Sequence, residues 1–186
     1  MPRVVGDAHP TSDFFDQASA IPNGADTDMI PIQVINHDLL AQVSAQAKAA
    51  PRRRKNFNFH ASDSDGCHRL LNAVEPDSYI PPHCHRDATK DETLIVVCGR
   101  IGVVFFDAQG HVTTQALLAP GSVAMGVNIP HGTYHSLVAL ESGSVFFEAK
   151  AGPYVPLTPE EKASWAPAEN DARAPDYLAY MHRLFD

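Results

Sequence analysis

His83-Cys84-His85, followed by Glu92 and later by Pro130-His131-Gly132-Thr133-Tyr134-His135, is the most informative stretch of the chain. Residues two apart in an extended strand point to the same side, about 7 Å apart along the chain. The imidazoles of His83 and His85 can therefore converge on one ion, while Cys84 faces the other way. Imidazole and carboxylate groups both bind divalent cations. The pattern predicts one metal site.

Composition indicates one domain and a small partner. A chain of 186 residues with 44% hydrophobic content is long enough to bury a substantial core, but two full domains are not expected. Twenty-two acidic residues against fourteen Lys and Arg give a formal net charge of −8. That charge opposes attraction to nucleic acid and to acidic membranes. We therefore expect a small-molecule partner, no nucleic acid and no membrane.

The cysteines and the N-terminal residues favour the cytoplasm. Cys67, Cys84 and Cys98 do not have the spacing of a disulfide framework, and buried reduced thiols are expected at Cys67 and Cys84. Residues 1–30 contain five Asp and no continuous apolar core, so they do not resemble a signal peptide. No run elsewhere is apolar and long enough to span a membrane.

The chain begins with an irregular segment and then a helix. Residues 1–30 mix Pro, Gly, Asp and small residues without periodicity, which predicts a loosely structured arm. Asn36 can cap a helix that ends at Pro51. The apolar positions of this helix recur at intervals of three and four residues; they are Leu39, Leu40, Val43 and Ala47.

Short apolar or alternating runs follow and predict antiparallel strands. They cover residues 69–74, 92–98, 101–106, 112–118, 135–140 and 145–149, with a further alternation around Phe57 and Phe59. Residues 107–110 and 119–121 are typical turns. The absence of a βαβ alternation favours a sandwich or small barrel.

Two C-terminal segments have helical patterns. Thr158-Pro159-Glu160-Glu161 combines an N-cap, a first-turn proline and a capping-box glutamate, which predicts a short helix toward Trp165. From Asp176 onward, apolar residues on one helical face predict a helix that packs on the barrel or on a second subunit. The expected organisation is an arm at 1–30, a barrel with its N-terminal helix at 31–157 and a helical extension at 158–186.

Several motifs together resemble those of a known family. His83-Cys84-His85, Glu92 and Gly99 resemble the first cupin motif, and residues 130–135 resemble the second. Over roughly residues 30–170 the chain resembles, more narrowly, the WbuC-type cupin metalloproteins, which are associated with bacterial surface-polysaccharide gene clusters. The narrower resemblance rests on Pro51-Arg52-Arg53-Arg54, Asn56-Phe57-Asn58-Phe59-His60, Lys90-Asp91-Glu92-Thr93, Phe147-Glu148-Ala149-Lys150-Ala151-Gly152-Pro153-Tyr154 and Trp165-Ala166-Pro167.

The resemblance implies a mainly all-β fold, the cupin double-stranded β-helix or jelly-roll barrel, with a metal inside. The family's usual ligands correspond to His83, His85, Glu92 and His135. Such a set suits one divalent ion per chain, Zn, Fe, Ni, Mn or Cu. Six residues separate His85 from Glu92, more than in the general cupin pattern. Either a longer turn returns Glu92 to the metal, or its carboxylate lies outside the ligand set.

Other polar residues are candidates for catalysis or substrate binding. Asn58 and His60 share a strand face, as do Glu148 and Lys150. The candidates for catalysis are Glu92, Tyr134 and Glu148, and those for substrate binding are Arg54, Asn58, His60 and Lys150. The basic run at residues 52–55 has two interpretations: it complements the C-terminal end of the preceding helix, or it binds an anion such as a sugar phosphate.

Three functions remain open at this point. The first is a metal-dependent enzyme that isomerises, or otherwise moves a proton on, a small carbohydrate-related molecule, an anionic sugar derivative for example, in surface-polysaccharide metabolism. The second is a noncatalytic metal-containing module that binds or regulates. The third is an Fe(II)-dependent oxygenase. We also expect a homodimer.

Overall fold

The computed structural model describes residues 32–186, and residues 34–186 form one compact unit. The arm expected at 1–30 lies outside the described residues. The elements are α1 (His37–Ala49), β1 (Arg54–Asn58), β2 (Cys67–Val74), β3 (Glu92–Cys98), β4 (Ile101–Phe106), β5 (Val112–Leu118), β6 (Gly126–Ile129), β7 (Tyr134–Ala139), β8 (Ser144–Ala151) and α2 (Ala174–Arg183).

The strands form two antiparallel sheets. One has the order β1-β2-β8-β3-β6 and the other the order β5-β4-β7. Sequence neighbours are mostly not sheet neighbours, because the chain crosses repeatedly between the sheets, as a jelly roll requires. The sheets do not close into a continuous barrel. The expected fold class, mainly all-β with a jelly-roll arrangement of two sheets, is confirmed.

The two sheets pack face to face over an apolar cluster. Leu94 and Phe146 contribute to it from the five-stranded sheet, and Val103 and Leu137 from the three-stranded sheet. Alternation along each strand sends every second side chain into this cluster and its neighbour outward. The apolar cluster fills only part of the space between the sheets, and polar side chains line the rest.

Helix α1 covers the outer face of the five-stranded sheet. Asn36 caps it as predicted, since its side-chain oxygen accepts a hydrogen bond from the Leu39 N–H at 3.0 Å. Val43 and Ala47 are fully buried against residues such as Leu71 of β2. The predicted position and apolar face of this helix are confirmed.

Helix α2 covers the outer face of the three-stranded sheet. Met181 is fully buried beside Val104 and Val138. Gly102 of β4 allows the residues after α2 to approach the sheet closely, because a Cβ at that position would collide with the ring of Phe185. The C-terminal helix therefore packs on the barrel, one of the two outcomes that its sequence predicted.

The predicted helix at residues 158–165 is wrong. The turn does begin as expected, since the Thr158 N–H donates to the Glu161 carboxylate at 2.9 Å. The chain then pairs with residues 82–84 and leaves the helical path: the Cys84 N–H donates to the Glu161 carbonyl at 2.9 Å, and the Ala163 N–H donates to the Pro82 carbonyl at 3.1 Å. Tertiary pairing replaces the local helix.

Two further expectations need correction. Strand β6 was not predicted, because it has four residues, begins at a glycine and lacks a regular alternation. Cys67 is exposed and not buried as expected; it lies on the outer face of the sheet, at the end of β2 that α1 does not cover. Cys84 is buried, and all three thiols are free.

Within the described part of the chain, no helix has both the length and the apolar character needed to cross a bilayer.

Replacing Met181 by Ala is expected to lower the free energy of unfolding by about 2–4 kcal/mol, because it leaves a cavity between α2 and the three-stranded sheet. Urea denaturation followed by circular dichroism measures this change. Arg183→Ala, an exposed position on the same helix, is the control and should change stability little. Equal effects of the two substitutions would contradict the described packing of α2.

Candidate metal centre and cavity

A backbone bridge brings two of the candidate imidazoles together. The His83 N–H donates to the His135 carbonyl at 3.0 Å, and the His135 N–H donates to the His83 carbonyl at 2.8 Å. This pairing joins the irregular segment before β3 to strand β7. The two ring centroids consequently lie 4.6 Å apart.

The turn after His85 accounts for the long spacing to Glu92. The Lys90 N–H donates to the Asp87 carbonyl at 2.9 Å, and the Asp87 side chain accepts from the Thr89 N–H at 2.9 Å. These bonds reverse the chain within a few residues. Glu92 then opens β3 with its carboxylate directed back toward His85.

Three side chains come together at one point, and His135 adjoins them through Glu92. Donor atoms of His83, His85 and Glu92 all lie within 4.8 Å of one another. The Glu92 Oε1 is 2.9 Å from His85 Nε2, and its Oε2 is 3.1 Å from His135 Nε2. Three imidazoles and one carboxylate of this kind could hold a divalent cation.

The hydrogen bonds on the far side of two rings suit metal binding. His83 Nδ1 lies 3.0 Å from the Pro81 carbonyl, and His135 Nδ1 lies 2.9 Å from the Thr133 carbonyl. Each neutral ring then carries its proton on Nδ1 and directs the Nε2 lone pair toward the centre. When both rings are in the neutral form, His135 Nε2 and Glu92 Oε2 are two acceptors 3.1 Å apart, an arrangement that a cation between them would satisfy.

The charge states of two candidates fit the same interpretation. Burial, together with the charge of nearby His135, lowers the pKa of His83 from 6.5 to about 3, so the ring is neutral. The exposed part of His83 faces the cavity described below. Burial disfavours the charged form of Glu92, but contacts with His135 and His85 and the charge of Lys150 outweigh it and hold the pKa of Glu92 well below 4.5.

A buried ion-pair network adjoins the centre. Lys150 lies directly opposite Glu92 in the β3–β8 register, and its Nζ is 2.7 Å from Glu92 Oε1 and 2.6 Å from Glu148 Oε1. The Asn72 side chain donates to Glu148 Oε2 at 2.8 Å. Burial works against the charge on Lys150, but the Glu148 and Glu92 carboxylates outweigh it and raise the pKa of Lys150. The lysine therefore remains positively charged.

These groups line a cavity of about 980 Å³ between the sheets. Its lining carries five cationic side chains against four carboxylates, although the whole chain has a net charge of −8. The cations are Arg52, Arg54, Lys55, Lys150 and Lys162, and the carboxylates are Asp63, Glu92, Glu148 and Glu169. The cavity is thus locally positive in an acidic protein.

All four substrate-binding candidates line this cavity. Asn58 and His60 lie on one wall, and the ring of His60 stacks on that of His68 with centroids 4.1 Å apart. Arg54 lies on the same face of β1, toward its other end. Sequence reasoning missed His68 and Asn72. Each lies two positions from Leu70 in β2 and so shares its face of the strand, and polar residues on an otherwise apolar face are a signal of a polar cavity.

Tyr134 does not join these residues. Because its neighbour His135 points inward, Tyr134 points outward, where its hydroxyl donates to the Glu160 carbonyl at 3.0 Å. Its ring lies against Trp165. His131 is also outside the centre, in a turn where its Nδ1 lies 2.8 Å from the Asp91 carboxylate.

Comparisons with known sequences give one family match. A model described as a domain of unknown function, DUF6016, matches residues 35–118. The matched segment is less than half of the chain and contains His83, His85 and Glu92, but not His135. The WbuC-type resemblance therefore stays a prediction. No curated protein matches the chain.

Several solved structures are similar to parts of the chain. KdgF from Halomonas sp. is 21% identical over 57% of this chain and 84% of its own, with a TM-score of 0.44. Oxalate decarboxylase from Bacillus subtilis is 19% identical over 55% of this chain, with a TM-score of 0.43, and the match covers 26% of the decarboxylase chain. TT1209 from Thermus thermophilus is 20% identical over 64% of this chain and 97% of its own, with a TM-score of 0.46.

Replacing His83 or His135 by Ala is expected to weaken divalent-metal binding by at least about 100-fold, because each substitution removes a donor atom from the centre. Elemental analysis and metal titration of the purified protein measure this loss. His111→Ala removes an exposed imidazole that is not part of the candidate centre and should leave metal content unchanged. Wild-type protein that takes up no stoichiometric divalent ion would contradict the assignment.

The metal-free protein should lose stability as pH falls below about 6.5. Unfolded His83 binds a proton near its ordinary pKa of 6.5, whereas folded His83 does so only near 3. Between these values the unfolded state binds more protons, so acid favours unfolding by at most about 1.4 kcal/mol per pH unit for this group. Urea titrations in chelator between pH 7 and 5 should give a shallower dependence for His83→Gln than for wild type. Identical slopes would contradict the neutral, enclosed ring.

Proposed function

We propose that the protein is a metal-dependent enzyme that moves a proton on a small anionic molecule, a carbohydrate derivative, with isomerisation as the simplest such reaction. The observation that carries this proposal is the juxtaposition of the His83, His85 and Glu92 donor atoms, with His135 beside them, and the Lys150–Glu148 pair, which Lys150 joins to Glu92. Metal ligands without adjoining titratable groups would indicate a binding site only.

His83, His85, Glu92 and His135 would hold the ion. A bound divalent cation polarises a carbonyl or hydroxyl oxygen and so acidifies the neighbouring carbon or oxygen. The chain's own contribution is to hold the imidazoles in one tautomer through the Pro81 and Thr133 carbonyls. This arrangement fixes the lone pairs before any ligand arrives.

Glu148 is the proton-transfer group in this proposal. Its carboxylate is buried on the cavity wall and is not among the metal donors. Asn72 fixes one oxygen by a hydrogen bond of 2.8 Å, and the other contacts Lys150 at 2.6 Å in a geometry that is not that of a hydrogen bond. That second oxygen is enclosed beside Lys150, so it can accept a proton from a ligand only after the ammonium group moves aside.

Lys150 serves as an electrostatic partner and not as a base. Its pKa is raised by two carboxylates, so it holds its protons at neutral pH. A fixed cation stabilises negative charge that develops on a substrate oxygen. Lys150 and the metal would thus act on neighbouring parts of one ligand.

The chemistry of the lining supports a polar, anionic ligand. The surplus of cations favours a negative charge, and amide and imidazole groups such as those of Asn58, His60 and His68 bind hydroxyl groups. The assignment to carbohydrates and to surface-polysaccharide metabolism rests on the sequence resemblance alone. The cytoplasmic location and the homodimer are proposals on the same footing.

Glu148→Gln is expected to lower kcat by about 100-fold or more while metal content is unchanged, because the amide cannot accept the proton. The measurement is turnover of sugar acids, sugar phosphates and nucleotide sugars by protein loaded in turn with Zn, Fe, Ni, Mn and Cu. Glu141→Gln makes the same change on an exposed side chain and is the control.

No turnover of any compound with any metal would refute the enzymatic proposal. Ligands that raise the melting temperature without forming product would instead indicate the noncatalytic binding module. Oxygen uptake that strictly requires Fe(II) would indicate the oxygenase.

A further inference from the structure

The basic run at residues 52–55 divides into two functions at Arg53. Arg53 adopts a positive φ of 55° and directs its side chain away from its neighbours. It pairs with Asp77 at 2.9 Å and donates to the Lys48 carbonyl in the last turn of α1. Arg53 alone therefore complements the helix C-terminus. Arg52 and Arg54 are left to turn toward the cavity.

Arg52 and Arg54 together hold one carboxylate. The Arg52 Nε and Nη2 donate to the two oxygens of Glu169 at 2.7 and 2.6 Å, and Arg54 Nη2 donates to Oε1 at 2.7 Å. Such a two-pronged contact, with a third charged donor, is the arrangement by which guanidinium groups bind carboxylate and phosphate. All three residues line the cavity that three of the candidate metal ligands, His83, Glu92 and His135, also line.

Arg54 is held in place independently of Glu169. Its Nη1 donates to the Tyr79 carbonyl at 3.0 Å and contacts Ser78 Oγ at 3.2 Å. Its side chain is only 15% exposed, and burial lowers its pKa from the ordinary value, which shows the cost of its charge there. A guanidinium so enclosed needs an anion beside it, and Nη2 is the atom directed toward that anion.

Glu169 is a replaceable occupant of this site. It lies outside any helix or strand, in a segment whose backbone is held separately, since the Tyr79 hydroxyl donates to the Pro167 carbonyl at 2.8 Å. The Glu169 side chain can therefore rotate away without displacing the segment. Its side chain is 29% exposed, so solvent can receive it.

We propose that Arg52 and Arg54 form an oxyanion subsite of the cavity and that Glu169 occupies it until the carboxylate or phosphate of a ligand displaces it. This deepens the proposed function, because it assigns a place to the anionic group of the ligand. Glu169 then lowers the affinity of the subsite for any ligand, because the ligand must displace a carboxylate that belongs to the chain. Uncharged molecules and weakly binding anions are excluded in this way.

Removing the Glu169 charge tests the subsite directly. In full-length Glu169→Gln protein, inorganic phosphate or acetate should bind at least about tenfold more tightly than in wild type, measured by calorimetry at constant ionic strength. Glu160→Gln removes an exposed carboxylate from the same C-terminal segment and should bind these anions as wild type does. Adding Arg52→Ala to Glu169→Gln should abolish the gain.

The two anions distinguish the ligand's group. A gain for phosphate alone assigns a phosphate, a gain for acetate alone assigns a carboxylate, and equal affinity of the Glu169→Gln and Glu160→Gln proteins for both anions overturns the subsite. A gain that persists after Arg52→Ala overturns it as well. Thermal melting of each variant confirms folding before titration.

The gain in anion affinity on Glu169→Gln is expected to be independent of the metal centre. His83→Ala protein, treated with chelator, should show the same gain on Glu169→Gln. Failure of the metal centre would leave anion binding intact, and failure of the subsite would leave metal binding intact.

Discussion

The pairing of residues 82–84 with two other segments is the constraint on which the centre depends. On one side His83 bridges to His135 of β7, and on the other it bridges to Lys162 of the C-terminal segment. This short stretch therefore behaves as the middle member of a three-stranded patch, although it is not part of either sheet. Both bridges fix the backbone of His83, and one of them sets the distance between two imidazoles. The same bonds extend residues 161–163 and prevent the local helix.

The charged network next to the centre exists because its members compensate one another. Glu92, Lys150 and Glu148 are all largely enclosed, and desolvation of any one alone would cost several kcal/mol. Lys150 neutralises one carboxylate, which leaves one negative charge in excess. A divalent cation held by Glu92 and the imidazoles would reverse that excess. The network is thus consistent with a metal as its final member and with an anion as its ligand.

Sequence patterns predicted the features of the fold that depend on local propensity and on the alternation of side chains. The Asn36 cap, the apolar positions of α1, most strands and the convergence of His83 and His85 follow from propensities and from alternation, whereas the place of Glu92 was left open. Features that depend on long-range pairing were not accessible in this way. Strand β6 forms because β3 offers it an edge, and the segment after Thr158 extends because residues 82–84 bind it. The outward direction of Tyr134 was predictable from the sequence, because neighbouring residues of a strand point to opposite faces and His135 was expected to point inward.

The register of β2 also separates the two ends of the cavity. Val74 pairs with Arg54 at one end, and His68 pairs with Lys150 at the other, so the two pairs are six positions apart along the strand. At the rise of an extended strand this is roughly 20 Å between backbones, which the arginine and lysine side chains shorten only in part. A ligand that uses both ends must be extended, with its anionic group well removed from its reacting atoms, whereas a compact anion must bind at one end alone.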